Sequence, residues 1–85
     1  MPRIVMYASA FCPFCRWARA LLDNKGVEYE VLDVDRDPAL RAEMRERSQR
    51  RTVPQIFIGE RHVGGFDDLS ALDRAGELDS LLQDT

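Results

Sequence analysis

Residues 4–22, IVMYASAFCPFCRWARALL, change character part-way along. Ile4-Val5-Met6-Tyr7 is a short apolar run rich in β-formers and reads as a buried strand. From Pro13 to Asn24 the pattern turns helical, with Phe14, Ala18, Leu21 and Leu22 spaced three and four residues apart. Proline suits the first helical turn, where its missing N–H has no intrahelical partner to lose. The chain's two cysteines, Cys12 and Cys15, fall where the strand gives way to the helix. Cys12 sits at or just before the helix start, beside unpaired backbone N–H groups and the positive end of the dipole. Cys15 lies one turn further in.

Two thiols at C-x-x-C spacing can close a small-loop disulfide, the basic apparatus of dithiol–disulfide exchange. The helix dipole contributes only ~0.3–1 kcal/mol in exposed settings, against ~1.4 kcal/mol for one unit of thiol acidity. Direct N–H···S⁻ hydrogen bonds at the helix start must therefore supply most of the thiolate's stabilisation. Cys12 is the expected nucleophile and Cys15 the resolving thiol. Other readings fare worse. A structural zinc site usually takes four ligands, and this chain offers two thiols and the distant His62. A haem attachment site needs histidine directly after the second cysteine, where Arg16 stands. No metal site is expected.

At 85 residues with 45% hydrophobic content, the chain has material for one small domain, 1–85, and no room for a second core. No stretch approaches the ~20 apolar residues of a membrane span. The start lacks the basic-then-apolar layout of a secretory signal, so a cytoplasmic location is expected. A net charge of −3 argues against general nucleic-acid binding. Of twelve basic residues only Lys25 is lysine, which reads as genome composition rather than function.

The remaining elements alternate. Gly26 supplies a left-handed stop after Asn24 and Lys25. Val27–Val34 reads as a strand, with Val27, Tyr29 and Val31 on one face and Glu28, Glu30 and Leu32 on the other. Asp37-Pro38 is an N-cap followed by proline at the first helical position, opening a helix to about Gln49 with Leu40 and Met44 buried. A third strand covers Val53–Ile58, Gly59-Glu60 is a tight turn, and Arg61–Gly64 is a fourth strand paired as an antiparallel hairpin. Helical signals return from Asp67, with Leu69 and Leu72 inward and Gly76 as the stop, and Glu77–Leu82 forms a last short helix. The order βαβαββα predicts an α/β fold in which a four-stranded mixed sheet is flanked by helices. The C-x-x-C then lies at the C-terminal end of the first strand, where open α/β sheets favour ligand crevices.

Three motifs stand in order along the chain: Cys12-Pro13-Phe14-Cys15, Thr52-Val53-Pro54-Gln55-Ile56-Phe57-Ile58 and Gly64-Gly65-Phe66-Asp67-Asp68-Leu69. Together they resemble the glutaredoxins, in particular the small bacterial dithiol type, within the thioredoxin-like fold. The resemblance covers nearly the whole chain. It implies that Pro54 is cis and packs across from the cysteines. It also implies that the Val53 backbone pairs with the glutathione peptide like an added strand, beside Thr52. Locally, Val53-Pro54 would read only as a proline opening an edge strand.

The resemblance further places Phe66 and Asp67 at the γ-glutamyl end of glutathione. There a helix N-terminus suits a carboxylate and Asp67 can accept from the ammonium. By itself Asp67 would pass for an ordinary N-cap. Arg50, at the end of the basic run Arg45, Arg47, Arg50, Arg51, matches a position that contacts the glycine carboxylate. Most such runs are solvated helix faces. Two departures are visible. Phe14 stands for the family's commoner tyrosine and keeps the aromatic wall. Ser9 stands where the family usually has a lysine three residues before the first cysteine. That substitution is expected to weaken thiolate stabilisation and glutathione binding modestly, with Arg50 or Arg51 as compensating charges.

The activity implied is glutathione-dependent thiol–disulfide exchange, with roles in electron transport and cell redox homeostasis. Cys12 takes glutathione from glutathionylated proteins, and Cys15 resolves mixed disulfides with protein substrates. Glutathione is a co-substrate and no tightly bound cofactor is expected. The expected partners are disulfide-containing or glutathionylated proteins, ribonucleotide reductase among the candidates, with the chain acting as a monomer. Two alternatives remain. One is a redoxin fed by thioredoxin reductase, towards which Ser9 leans. The other is a glutathione-ligated iron–sulfur carrier, which Pro13 disfavours because cluster-binding relatives usually have glycine or serine there.

Overall fold

A computed structural model describes residues 2–83. In chain order its elements are β1 (Ile4–Ala8), α1 (Pro13–Asn24), β2 (Glu30–Asp33), α2 (Pro38–Ser48), β3 (Gln55–Ile58), β4 (Arg61–Gly64), α3 (Phe66–Arg74) and α4 (Leu78–Gln83). This is the expected order, closed by the short last helix. The strands form one mixed sheet in the order β2-β1-β3-β4. β1 is parallel to β2 and antiparallel to β3, and β3 is antiparallel to β4. The parallel pair follows from the helical crossover through α1, and the hairpin from the two-residue turn Gly59-Glu60. The described residues contain no helix long and apolar enough to cross a membrane.

Side chains alternate between the two faces of a strand, and β1 is buried on both. Ile4, Met6 and Ala8 join Ala18 and Leu22 of α1, Leu69 of α3, and Leu78 and Leu82 of α4 in the larger core. Val5 and Tyr7 pack on the opposite face with Phe57, Val34 and Met44 of α2. Three helices thus cover one face and α2 covers the other. A strand enclosed this way has no use for polar alternation, which explains the unbroken Ile4–Ala8 run.

Several boundaries differ from expectation. β2 is confined to Glu30–Asp33, the stretch that β1 pairs from Val5↔Glu30 to Ala8↔Asp33. The alternation was nonetheless legible: Val27, Tyr29 and Val31 pack on the larger core and Leu32 on the smaller. β3 begins at Gln55 rather than Val53, since Pro54 has no N–H for the ladder, and pairing opens at Tyr7↔Gln55. α3 begins at Phe66, one residue early, with Gly65 as its N-cap, so Asp67 is not the cap. Phe14 leaves the buried stripe of α1, which consists of Cys15, Ala18 and Leu22, and is half exposed. Asp37 caps α2 as expected, its carboxylate accepting from the Ala39 N–H at 2.9 Å.

Candidate active site

Cys12 is the N-cap of α1. Its sulfur accepts the Cys15 N–H at 3.1 Å, the bond to the third helical residue that an N-cap side chain normally makes. The Cys12 thiol in turn lies 3.7 Å from the Val53 carbonyl, to which it donates. Both thiols are free and nearly buried, Cys12 at 7% exposure and Cys15 at 2%. Burial pushes the Cys15 thiol up to about 12, aided by its hydrogen bond with Cys12 and the like charge there, against the Ser9 backbone. Iodoacetamide at neutral pH is therefore expected to label Cys12 and leave Cys15 unmodified. Peptide mapping by mass spectrometry checks this, and preferential labelling of Cys15 would reverse the assignment.

The Val53–Pro54 peptide bond is cis, and Pro54 is buried. Around it runs a cleft of about 550 Å³ lined by Phe14, Arg50, Thr52, Val53, Pro54, Phe66 and Asp67. Its volume suits a small ligand. All seven residues singled out beyond the two cysteines therefore converge on one cavity, and Cys12 meets it through Val53. Arg51 also reaches this lining. Arg47 of the same basic run does not: its guanidinium sits 4.1 Å over the Phe57 ring and donates to the Tyr7 hydroxyl at 2.8 Å, on the other face of the sheet.

Three contributors were not singled out from sequence. Asp68, in the first turn of α3, accepts the Gly65 N–H and the Arg50 guanidinium, both at 3.0 Å. It therefore ties the cleft's arginine to the start of α3. Those two donors hold its carboxyl below the ordinary range. What the contact adds to stability is present at neutral pH and is lost as pH falls through the lowered folded value.

Gln55, only 1% exposed, is the second. Its amide nitrogen donates to the Thr52 carbonyl at 3.0 Å, so its oxygen faces His62, 2.8 Å away, and accepts from the ring's Nε2–H. The third, His62, is lowered by its own burial and by the Arg50 charge. A glutamine inside an otherwise apolar strand was the available signal for this pair. Among the described residues no group of three or more metal-ligating side chains gathers.

Gly64 is held by this arrangement. Its φ is +119°, and an added Cβ would lie 2.2 Å from the Asp68 carboxylate and 3.0 Å from the Arg50 guanidinium. Gly64→Ala is expected to cost about 1–3 kcal/mol, from the unfavourable backbone and a displaced Asp68. In a chain this short that lowers the thermal midpoint by roughly 4–24 °C, readable by circular dichroism. An unchanged midpoint would show that Asp68 moves aside freely.

A glutaredoxin family model matches residues 4–63. The chain is also 54% identical over 82 residues to a glutaredoxin of Pseudomonas aeruginosa, covering 96% of this chain and 98% of that one. The chain belongs to the glutaredoxin family. As a glutaredoxin it is a glutathione-dependent thiol–disulfide oxidoreductase with a thioredoxin-like fold. The solution structure of a glutaredoxin from Brucella melitensis superposes at a TM-score of 0.86 and 54% identity, over 98% of this chain and 90% of that one. A crystal structure of a buckwheat glutaredoxin–glutathione complex reaches 0.88 at 30% identity, over 95% and 76%.

Proposed function

We propose that this glutaredoxin binds glutathione in the cleft between the cis-Pro54 segment and α3, and that Cys12 is its nucleophile. The supporting observation is the convergence of Phe14, Arg50, Thr52, Val53, Pro54, Phe66 and Asp67 on one cavity that meets the Cys12 sulfur at Val53. The charges match a zwitterionic tripeptide. Arg50 and Arg51 face the glycine carboxylate, while the first N–H groups of α3 and the Asp67 carboxylate face the γ-glutamyl end. Arg50 is not displaced from Asp68 by this role, because a guanidinium has five donors and Asp68 engages one nitrogen.

The reaction follows. The Cys12 thiolate attacks the glutathione sulfur of a glutathionylated protein, and the old S–S bond breaks. The protein's thiolate leaves and takes a proton from water. A second glutathione, as thiolate, attacks the glutathione now joined to Cys12. Glutathione disulfide departs and the Cys12 thiolate is restored. The net change consumes one free glutathione: the protein thiol is released, and that glutathione leaves joined to the one taken from the substrate as glutathione disulfide.

With a protein disulfide, Cys12 forms a mixed disulfide and Cys15 attacks the Cys12 sulfur to release the reduced protein. The resulting Cys12–Cys15 disulfide is then reduced by two glutathiones. Once Cys12 is in a disulfide, its charge and its hydrogen bond no longer hold Cys15 protonated, and burial alone opposes the attack. The resolving thiol is thereby restrained until it is needed. Ribonucleotide reductase belongs to the protein disulfides that this chemistry would serve.

The test is reduction of a glutathione mixed disulfide, with glutathione plus glutathione reductase as donor in one arm and thioredoxin reductase in the other. Turnover in the first arm is expected despite Ser9. Turnover in the second arm alone would overturn the glutathione site.

A further inference from the structure

Three large apolar side chains stand in solvent around the reactive thiol. Phe11 is 98% exposed, Trp17 52% and Phe14 48%. None of them belongs to either core cluster, so the fold itself gives no reason for them. Phe14 packs edge-on against Trp17 with ring centroids 5.2 Å apart, and Trp17 leans on Phe66 at 5.8 Å. Phe14 and Phe66 line the cleft, whereas Phe11 and Trp17 lie outside its lining. The aromatic surface therefore starts at the cleft wall and extends beyond it to Trp17 on the second turn of α1, while Phe11 stands in solvent at the residue before Cys12.

The size of this surface limits what can cover it. With ~150–250 Å² per aromatic side chain, the exposed portion is on the order of 400 Å². A stable dimer needs about 800 Å² from each partner, so a second copy is not the natural occupant. Apolar patches of this size on a monomer are often functional. The reaction supplies a better occupant. When glutathione fills the cleft, the other half of the substrate is tethered to it through the disulfide at Cys12 and must lie outside.

We propose that Trp17, in contact with Phe14, and Phe11, next to Cys12 in the chain, are the docking surface for the protein half of the substrate. The segment they take carries apolar side chains next to its oxidised cysteine. This rests on the reading of Cys12 and the cleft given above.

Two synthetic decapeptides with a single glutathionylated cysteine, flanked by leucines in one and serines in the other, serve as probes. The mixed disulfide of glutathione with 2-mercaptoethanol is the small control. The unmodified protein is expected to show kcat/KM at least about tenfold higher for the leucine peptide, as a desolvated aromatic contact provides. Phe11→Ser, at a nearly fully exposed position, is expected to leave the small control within about twofold and to shrink the leucine preference severalfold.

In Phe11→Ser/Trp17→Gln the preference is expected to approach unity. Because both peptides carry the same glutathione half, any change that a shift of Phe14 or Phe66 makes to glutathione binding cancels in the ratio between them. No leucine preference in the unmodified protein, or a preference that survives both substitutions, overturns the docking surface. A sedimenting dimer dispersed by Phe11→Ser would assign the patch to a second copy and also overturn it. Failure of the cleft reading looks different: the small control itself would not turn over, or would turn over without Cys12.

Discussion

Cys12→Ser is expected to abolish turnover of every substrate, while Cys15→Ser keeps one activity and loses the other. Attack on a disulfide needs a thiolate, and a serine hydroxyl at neutral pH offers no comparable nucleophile. The loss at position 12 is therefore at least on the order of a thousandfold. Cys12 accepts the Cys15 N–H whatever side chain residue 15 carries, so Cys15→Ser leaves the N-cap bond intact. It also removes the thiol that burial, aided by the hydrogen bond with Cys12 and the charge there, keeps protonated. Reduction of glutathione mixed disulfides, which ends with a second glutathione, is expected to continue within a few-fold. Reduction of protein disulfides is expected to stall at the mixed disulfide, which mass spectrometry would show as a covalent adduct on Cys12. Loss of both activities in Cys15→Ser would contradict this division between the thiols.

Leu69→Ala is expected to give the largest loss of stability among the α3 positions. Leu69 is fully buried in the larger core with Leu22, Ile56 and Leu78, three residues beyond Phe66. Truncating a buried leucine costs about 2–5 kcal/mol through lost transfer energy and the cavity left behind. Proteins carry roughly 0.05–0.15 kcal/mol of stability per residue, so for 85 residues this removes a large fraction of the whole. The urea midpoint should fall steeply with little change in slope. Because α3 carries Phe66, Asp67 and Asp68 to the cleft, the variant should also bind glutathione more weakly at temperatures where it remains folded. A loss below about 1 kcal/mol would mean that the sheet and α4 close over the gap.

Much of this was legible in the residues. The Ile4–Ala8 run, the proline openings of α1 and α2 and the Gly59-Glu60 turn located the elements because they depend on local backbone preference and side-chain period. Boundaries failed where pairing decided them. Val27–Tyr29 have strand character but no pairing with β1, and Val53-Pro54 precede the ladder. Phe14 fits the apolar spacing of α1, yet it is half exposed, since spacing cannot tell a core contact from a cleft wall.

The cysteines and six of the seven residues expected around glutathione were named from motifs, and Arg50 from the basic run that precedes the second motif. Asp68 and Gln55, inside those motifs, and His62 were given no role in the cleft, because their roles arise from partners 18, 3 and 7 residues away in the chain.

The βαβαββα order, the placement of Cys12 at a helix start and the choice of thiol–disulfide chemistry could all be read from the residues alone. Each follows from local rules: propensity, periodicity and the reactivity of two thiols at fixed spacing. That Arg50 is held by Asp68, that Cys15 is buried enough to stay protonated, and that Phe11 and Trp17 remain in solvent emerged from the packed fold. Burial and charge pairing depend on which surfaces meet after the sheet has formed, and no local pattern carries that information.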